Sequence, residues 1–194
     1  MRCVKESPFS RCLMRAATLG LVTCAALFLG CGKNRVVLDV DVRSFMNDAQ
    51  AGGSYLAPSI VPVSLRLPAV PINLVEGFKD FGKAEEVGVD VAVRFDNQTG
   101  DGQGHFKLYF GADSTSAYAS APVATIDATL APGAISTGTA HLNADSRVRD
   151  LFTGKQMVMG VEFVWEPTTV GMLQGTYSIS QIKAHIVSTM DLFH

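Results

Sequence analysis

Apolar and polar residues alternate with period two over most of the chain, which is the signature of half-buried strands. Over 36–43, Leu38, Val40 and Val42 fall on one side and Asp39, Asp41 and Arg43 on the other. The stretch 60–67 alternates through Val61, Val63, Leu65 and Leu67, but Pro58, Pro62, Pro68 and Pro71 surround or enter it. Proline has no N–H for a ladder, so an edge strand and extended loops are predicted there. The clearest strand is 87–95, with Val87, Val89, Val91, Val93 and Phe95 inward and Asp90 and Arg94 outward. Turn formers fill 96–104, and Phe106, Leu108 and Phe110 then alternate with His105, Lys107 and Tyr109. Two such runs around a Gly/Asp loop predict a hairpin.

Residues 112–122 are rich in Ser and Ala and read as a connection. Weaker strands at 123–130 and 134–142 flank Ala131-Pro132-Gly133. The period changes at 143–152, where Val148, Leu151 and Phe152 sit three and four apart. Asn143 or Asp145 serves as a cap and Gly154 follows, so a short helix is predicted. Alternation returns at 157–165 through Met157, Met159, Val161, Phe163 and Trp165. The final run, 176–190, stays extended, but its apolar phase changes near Ser180, which predicts a bend or bulge. About eight short strands and one short helix predict a mainly β domain over 36–194, an immunoglobulin- or fibronectin-like β-sandwich or a small barrel.

The order of elements over 87–165 is similar to the type 2 late-embryogenesis-abundant (water-stress) domain. The residues that carry this are Val87 to Asn97, Phe106 to Gly111, Leu130-Ala131-Pro132-Gly133, Val148 to Phe152 and Val158 to Trp165. That family ends its first strand in Asn-Pro, where this chain has Asn97-Gln98. The resemblance implies a fibronectin-like sandwich rather than an activity.

Composition narrows the class. The chain has 194 residues, 47% hydrophobic and 18% charged, with a formal net charge of −2. Such a balance excludes a disordered tail. It also excludes a basic nucleic-acid binder, which needs clustered Lys and Arg to displace counterions.

The N-terminal segment reads as an address. Residues 16–30, AATLGLVTCAALFLG, carry no charge and follow Arg11 and Arg15. The run is shorter than the roughly 20 residues that span a bilayer, and it has the layout of a secretory signal. It ends in Phe28-Leu29-Gly30-Cys31, which resembles the lipobox of bacterial lipoproteins. The resemblance implies a diacylglyceryl group on Cys31, cleavage before it, and acylation of the new amino terminus. Cys24, in Leu21-Val22-Thr23-Cys24, is the competing position, but Thr23 is bulkier than the small residue the family uses. The cysteines are Cys3, Cys12, Cys24 and Cys31, so cleavage before Cys31 leaves one thiol at the first position and no internal disulfide. The expected organisation is a signal at 1–30, a lipidated tether at 31–35 and the sandwich at 36–194. Met14-Arg15 offers an alternative start that shortens the signal to 14–30. Gly32 follows the cysteine, and by the family's sorting rule this implies the outer membrane, facing the periplasm or the outside. Residues 31–194 hold 12 Lys plus Arg and 17 Asp plus Glu, a net charge of −5.

Candidate chemistry is sparse. His105, His141, His185 and His194 show no zinc spacing and have no cysteine partner, and His105 and His185 fall on outer faces. There is no Gly-x-Ser-x-Gly elbow, and Gly100-x-Gly102-x-Gly104 lacks the Lys and helix of a phosphate loop. Asp96, Asn97 and Asp101 are weak calcium candidates, since EF-hand spacing fails. Tyr109 and Trp165 are candidates for a binding surface, although Trp165 continues an inward series. No catalytic residue, metal or cofactor is assigned. The expectation is a non-catalytic, lipid-anchored envelope protein acting as an interaction or structural module, held to the membrane through Cys31 and contacting an envelope protein. The alternative is an envelope binding protein for a small ligand, glycan or lipid.

Overall fold

The computed structural model describes residues 34–58, 61–73, 84–152 and 156–190. Cys31, the signal, His194 and Gly154 lie outside the described residues. The chain runs β1 (Asn34–Asp41), a 3-10 turn (Val42–Phe45), α1 (Asp48–Ala51), β2 (Gly52–Pro58), β3 (Val63–Arg66), β4 (Val70–Asn73), β5 (Ala84–Thr99), β6 (Gly102–Gly111), α2 (Ser114–Ala119), β7 (Ala124–Leu130), β8 (Ile135–Asn143), α3 (Ser146–Leu151), β9 (Gln156–Pro167) and β10 (Met172–Met190). These strands form two antiparallel sheets packed as a β-sandwich, the class that the alternation predicts. In the first sheet the order is β1-β10-β5-β8, with β2 also paired to β10. In the second it is β3-β9-β6-β7, with β4 also paired to β9.

Alternation decides which side chains fill the space between the sheets. Val87, Val89, Val91, Val93 and Phe95 of β5 are buried, as are Phe106, Leu108 and Phe110 of β6 and Met157, Met159, Val161, Phe163 and Trp165 of β9. Phe163 is the hub. Its ring meets Phe95 edge-on at 6.1 Å and Phe106 at 5.4 Å, stacks on Trp165 at 5.6 Å and touches Tyr177 at 4.1 Å. Aromatic pairs of this kind add to the area they bury. The phase change near Ser180 is a bulge: the β10–β5 register shifts between Ile179 and Gln181. Tyr177 and Ile179 before it and Ile182, Ala184 and Ile186 after it all face the core as a result. β3 lies at an edge, as its prolines predict. α3 is capped by Asp145, whose carboxylate accepts the Val148 N–H at 2.9 Å.

Four features correct or go beyond the expectations. β5 and β6 do not form a hairpin, because they lie in opposite sheets. Asn97 is fully buried and donates from Nδ2 to the Gly100 carbonyl at 2.7 Å, which turns the chain across the core instead of back along β5. Gly100 adopts φ +78, where a Cβ would stand 2.5 Å from the Met172 carbonyl oxygen, so glycine is required. Second, β7 and β8 follow one another through a tight turn at Pro132-Gly133, with Gly133 at φ +69, yet they too enter different sheets. Third, 112–122 holds a helix. The Asp113 carboxylate accepts N–H groups from Thr115 and Ser116 at 2.9 and 2.8 Å, and Ser116 Oγ accepts the Asp113 N–H at 3.0 Å. This reciprocal cap nucleates α2, so the helices number three rather than one among the described residues. Fourth, β2 and β4 were not legible in the pattern, and the sandwich has ten described strands.

Candidate functional site

Side chains with chemistry gather on the two outer faces. On the second sheet, Glu162 of β9 lies opposite Arg66 of β3 and Lys107 of β6 in register. It is buried, accepting from Tyr109 Oη at 2.7 Å and from Arg66 Nε at 2.9 Å. Burial pushes its carboxyl pKa up, but the Tyr109 and Arg66 hydrogen bonds outweigh this and hold it below the ordinary value. Burial, with the Glu162 charge, pushes the Tyr109 phenol up to about 12. The α2 residue Tyr118 lies under the Arg66 guanidinium, 5.2 Å from the ring centre. The Tyr118 hydroxyl donates to the Leu67 carbonyl at 2.7 Å and accepts the Val161 N–H at 3.0 Å, closing the gap between β3 and β4. Gly160 lets that ring settle, since a Cβ there would lie 2.8 Å from it. Farther along, His105 Nδ1 pairs with Asp127 at 2.7 Å.

On the first sheet an ionic row crosses four strands. His141 of β8 places Nδ1 2.5 Å from Asp90 Oδ1 on β5. Asp90 Oδ2 is 2.8 Å from His185 Nε2 on β10, and His185 Nδ1 contacts Asp39 on β1. Lys183 Nζ lies 3.9 Å from Asp39 Oδ2. The two histidine contacts hold the Asp90 carboxyl below its ordinary value, and Asp39 and then Asp90 push the His185 imidazole above its own. No group of three metal-ligating side chains is arranged to hold an ion among the described residues.

The residues singled out from sequence do not converge. Asn97 faces the core, where its Oδ1 accepts the Tyr55 hydroxyl at 3.0 Å. Asp96 is its neighbour on the strand, faces the other way, and lies 3.6 Å from Arg94. The weak calcium set Asp96, Asn97 and Asp101 is therefore not brought together around one point. Trp165 is enclosed between the sheets and stacks on Tyr55 at 5.0 Å, while Tyr109 lies on the outer side of the same sheet. The two do not share a surface. The ionic row was missed because its members are far apart in sequence. The available signal was that Asp39, Asp90, His141 and His185 all fall on the polar side of alternating strands.

A third feature lies at one end of the first sheet. Leu56 is 55% exposed, Met172 49% and Val170 87%. Met172 pairs with Pro58 and Gln174 with Leu56, so Leu56, Pro58 and Met172 form a short apolar strip beside Gln174, and Val170 lies in the turn that precedes β10. β2 carries no charge and pairs with β10 alone among the described strands. Arg35, near the start of β1, contacts Glu86, which is in register with Val187. From Met172 to Val187 the strand covers roughly 50 Å, so the strip lies at the end remote from the start of β1.

No protein-family model matches the chain, and no curated protein is similar to it. Among solved structures it is similar to that of infectious bursal disease virus Gx strain, at 10% identity and a TM-score of 0.44, covering 82% of this chain and 38% of that one. It is also similar to the T=1 particles derived from infectious bursal virus, at 12% identity and 0.44, with 82% and 37% covered. Latent dimeric PorU from Porphyromonas gingivalis gives 8% identity and 0.33, with 83% and 13% covered. The chain thus spans well under half the length of these proteins. At this similarity they assign neither a family nor an activity. The fold defines the class as a two-sheet β-sandwich with ionic outer faces.

Proposed function

We propose that this chain is a lipid-anchored protein of the bacterial outer membrane, whose sandwich is a non-catalytic interaction module. The anchor is Cys31, and β1 begins at Asn34, so the tether is short. One acyl chain binds membranes marginally and two or more bind stably, so a fully acylated Cys31 holds the domain there. The observation that carries the interaction reading is the exposed apolar strip of Leu56, Pro58 and Met172. Contiguous apolar surface on a soluble face marks contact with a partner. It lies far from the anchored end, where an envelope protein partner can reach it. The outer-face acids and histidines are engaged with one another, which supports a structural role for them.

The test is a photo-crosslinking side chain placed at Met172 of the full chain in intact cells. The reading expects a discrete heavier adduct in the envelope fraction, lost in Leu56→Asp, with none from a probe at Thr125 on the second sheet. Absence of the Met172 adduct, or equal adducts from both positions, contradicts it.

A further inference from the structure

We propose that His185 is a proton-operated clamp on β1: with both ring nitrogens protonated it ties Asp39 of β1 to Asp90 of β5, and loss of one proton frees β1 to fray and lengthen the tether. The argument starts from hydrogen-bond inventory. Nδ1 of His185 faces an Asp39 oxygen, and Nε2 lies 2.8 Å from Asp90 Oδ2. An ionised carboxylate only accepts, so both contacts are hydrogen bonds only when the ring is an imidazolium. A neutral ring has one N–H, and its other nitrogen turns a lone pair toward a carboxylate oxygen.

The groups around the ring decide which contact is lost. On β10 the neighbour is Lys183, 3.9 Å from Asp39. On β5 the charged groups are Asp90 and Glu86, the latter paired with Arg35 of β1. On β8 it is His141, which also holds Asp90. On β1 they are Asp39 and the exposed Asp41. Gly88 of β5 lies beside both histidines, and a Cβ there would make ordinary contact with the His141 ring at 3.5 Å and the His185 Cβ at 3.8 Å. The Asp90 side chain is 29% exposed and that of Asp39 51%. The less hydrated carboxylate needs the remaining N–H more. Asp39 therefore gives up its histidine contact and is left with water and the exposed Lys183.

β1 is the strand that this loss affects most. Among the described strands it pairs with β10 alone, and Leu38 and Val40 are only partly buried. Its other ion pairs, Arg35 with Glu86 and Lys183 with Asp39, are exposed on both sides, and such pairs contribute little. Weakly packed edge elements open first. The sign follows from the raised His185 pKa: the clamp is complete below the free imidazole value and is lost as pH rises through the higher folded value. Releasing β1 adds its 8 residues to the tether, roughly 27 Å of reach. That consequence rests on the anchored reading above, whereas the clamp does not.

The experiment is hydrogen exchange on the full chain in detergent, followed by mass spectrometry and corrected for intrinsic rates, at about pH 5.5 and about pH 8.5 on either side of the expected transition. Protection over 34–41 should fall about fivefold at the higher pH, a figure scaled to a partly exposed pair, while 102–111 in β6 stays constant. His185→Gln should show the lower protection at both pH values, and His141→Gln should keep the wild-type dependence. In the wild type, the His185 ring protons followed by NMR should titrate above the ordinary imidazole value. Protection over 34–41 that ignores pH overturns the clamp, as does a dependence that survives His185→Gln or vanishes in His141→Gln, or a ring titrating at or below the ordinary value. None of these readouts depends on lipid, so failure of the anchor reading registers separately.

Discussion

Asn97→Ala removes the staple that sends the chain from one sheet into the other. Asn97 is 0% exposed and holds two partners. Its Nδ2 donates to the Gly100 carbonyl at 2.7 Å, and its Oδ1 accepts from the Tyr55 hydroxyl at 3.0 Å. Truncation leaves that hydroxyl without its partner in the core, where Tyr55 is 3% exposed and stacked on Trp165. Each buried polar group left unpaired costs about 1–3 kcal/mol. Gly100 is only half-buried, so water recovers part of the second loss. The expected total is about 2–4 kcal/mol. Asn97→Asp is the diagnostic companion. It keeps an acceptor for Tyr55 but sets an oxygen against the Gly100 carbonyl. Its deficit should shrink as pH falls, because a protonated carboxyl regains a donor. The assay is urea unfolding by circular dichroism, comparing midpoints at constant slope. A loss for Asn97→Ala below about 0.5 kcal/mol, the ordinary surface range, refutes the staple. Stabilisation of the wild type by added calcium that Asn97→Ala abolishes refutes it too, since it would restore a ligand role to this turn.

Further outcomes follow from the same packing. Val91→Ala, at a 2% exposed position, should cost about 1–3 kcal/mol in denaturant midpoints, and Arg94→Ala, an exposed side chain 3.6 Å from the half-exposed Asp96 carboxylate, less than about 0.5 kcal/mol; equal costs would mean that the strand phase is misassigned. Glu162 has a folded pKa below its unfolded one, so its contribution is present above the unfolded value and lost as pH falls through the folded one. Glu162→Gln should therefore flatten the acid limb of the stability curve, and an unchanged limb would contradict the arrangement. Gly160→Ala should lower the thermal midpoint and expose Tyr118 to quenching, because its Cβ would lie 2.8 Å from that ring; an unchanged Tyr118 environment would show that the close approach is not needed.

What the sequence disclosed was mostly a matter of faces. Alternation identified the inward residues of β5, β6 and β9, and the phase change at Ser180 disclosed the bulge between Ile179 and Gln181. Period two says which side a residue takes but not which strand lies beside it. That is why 87–95 and 106–110 read as a hairpin, although the buried Asn97 turns them into opposite sheets. β2 was hidden because GGSYLAP is short, glycine-rich and capped by proline. α2 was hidden because its signal is one reciprocal cap between Asp113 and Ser116 within a Ser/Ala stretch. The row from His141 to Asp39 needed the strand order β1-β10-β5-β8, since Asp39 and His185 are 146 residues apart. Burial of Glu162 was invisible because it depends on Tyr109, Arg66 and Tyr118 meeting from three other elements.

The account turns on whether the chain is anchored through Cys31, and the intact mass of the protein extracted from the cell envelope in detergent tests this directly. The account predicts a polypeptide beginning at Cys31 that carries a diacylglyceryl group and an amide-linked acyl chain, with Cys31→Ser retained as the uncleaved precursor or released from the membrane fraction. An unmodified Cys31 still preceded by Gly30, or a Cys31→Ser protein with the parent's mass and fractionation, would contradict it.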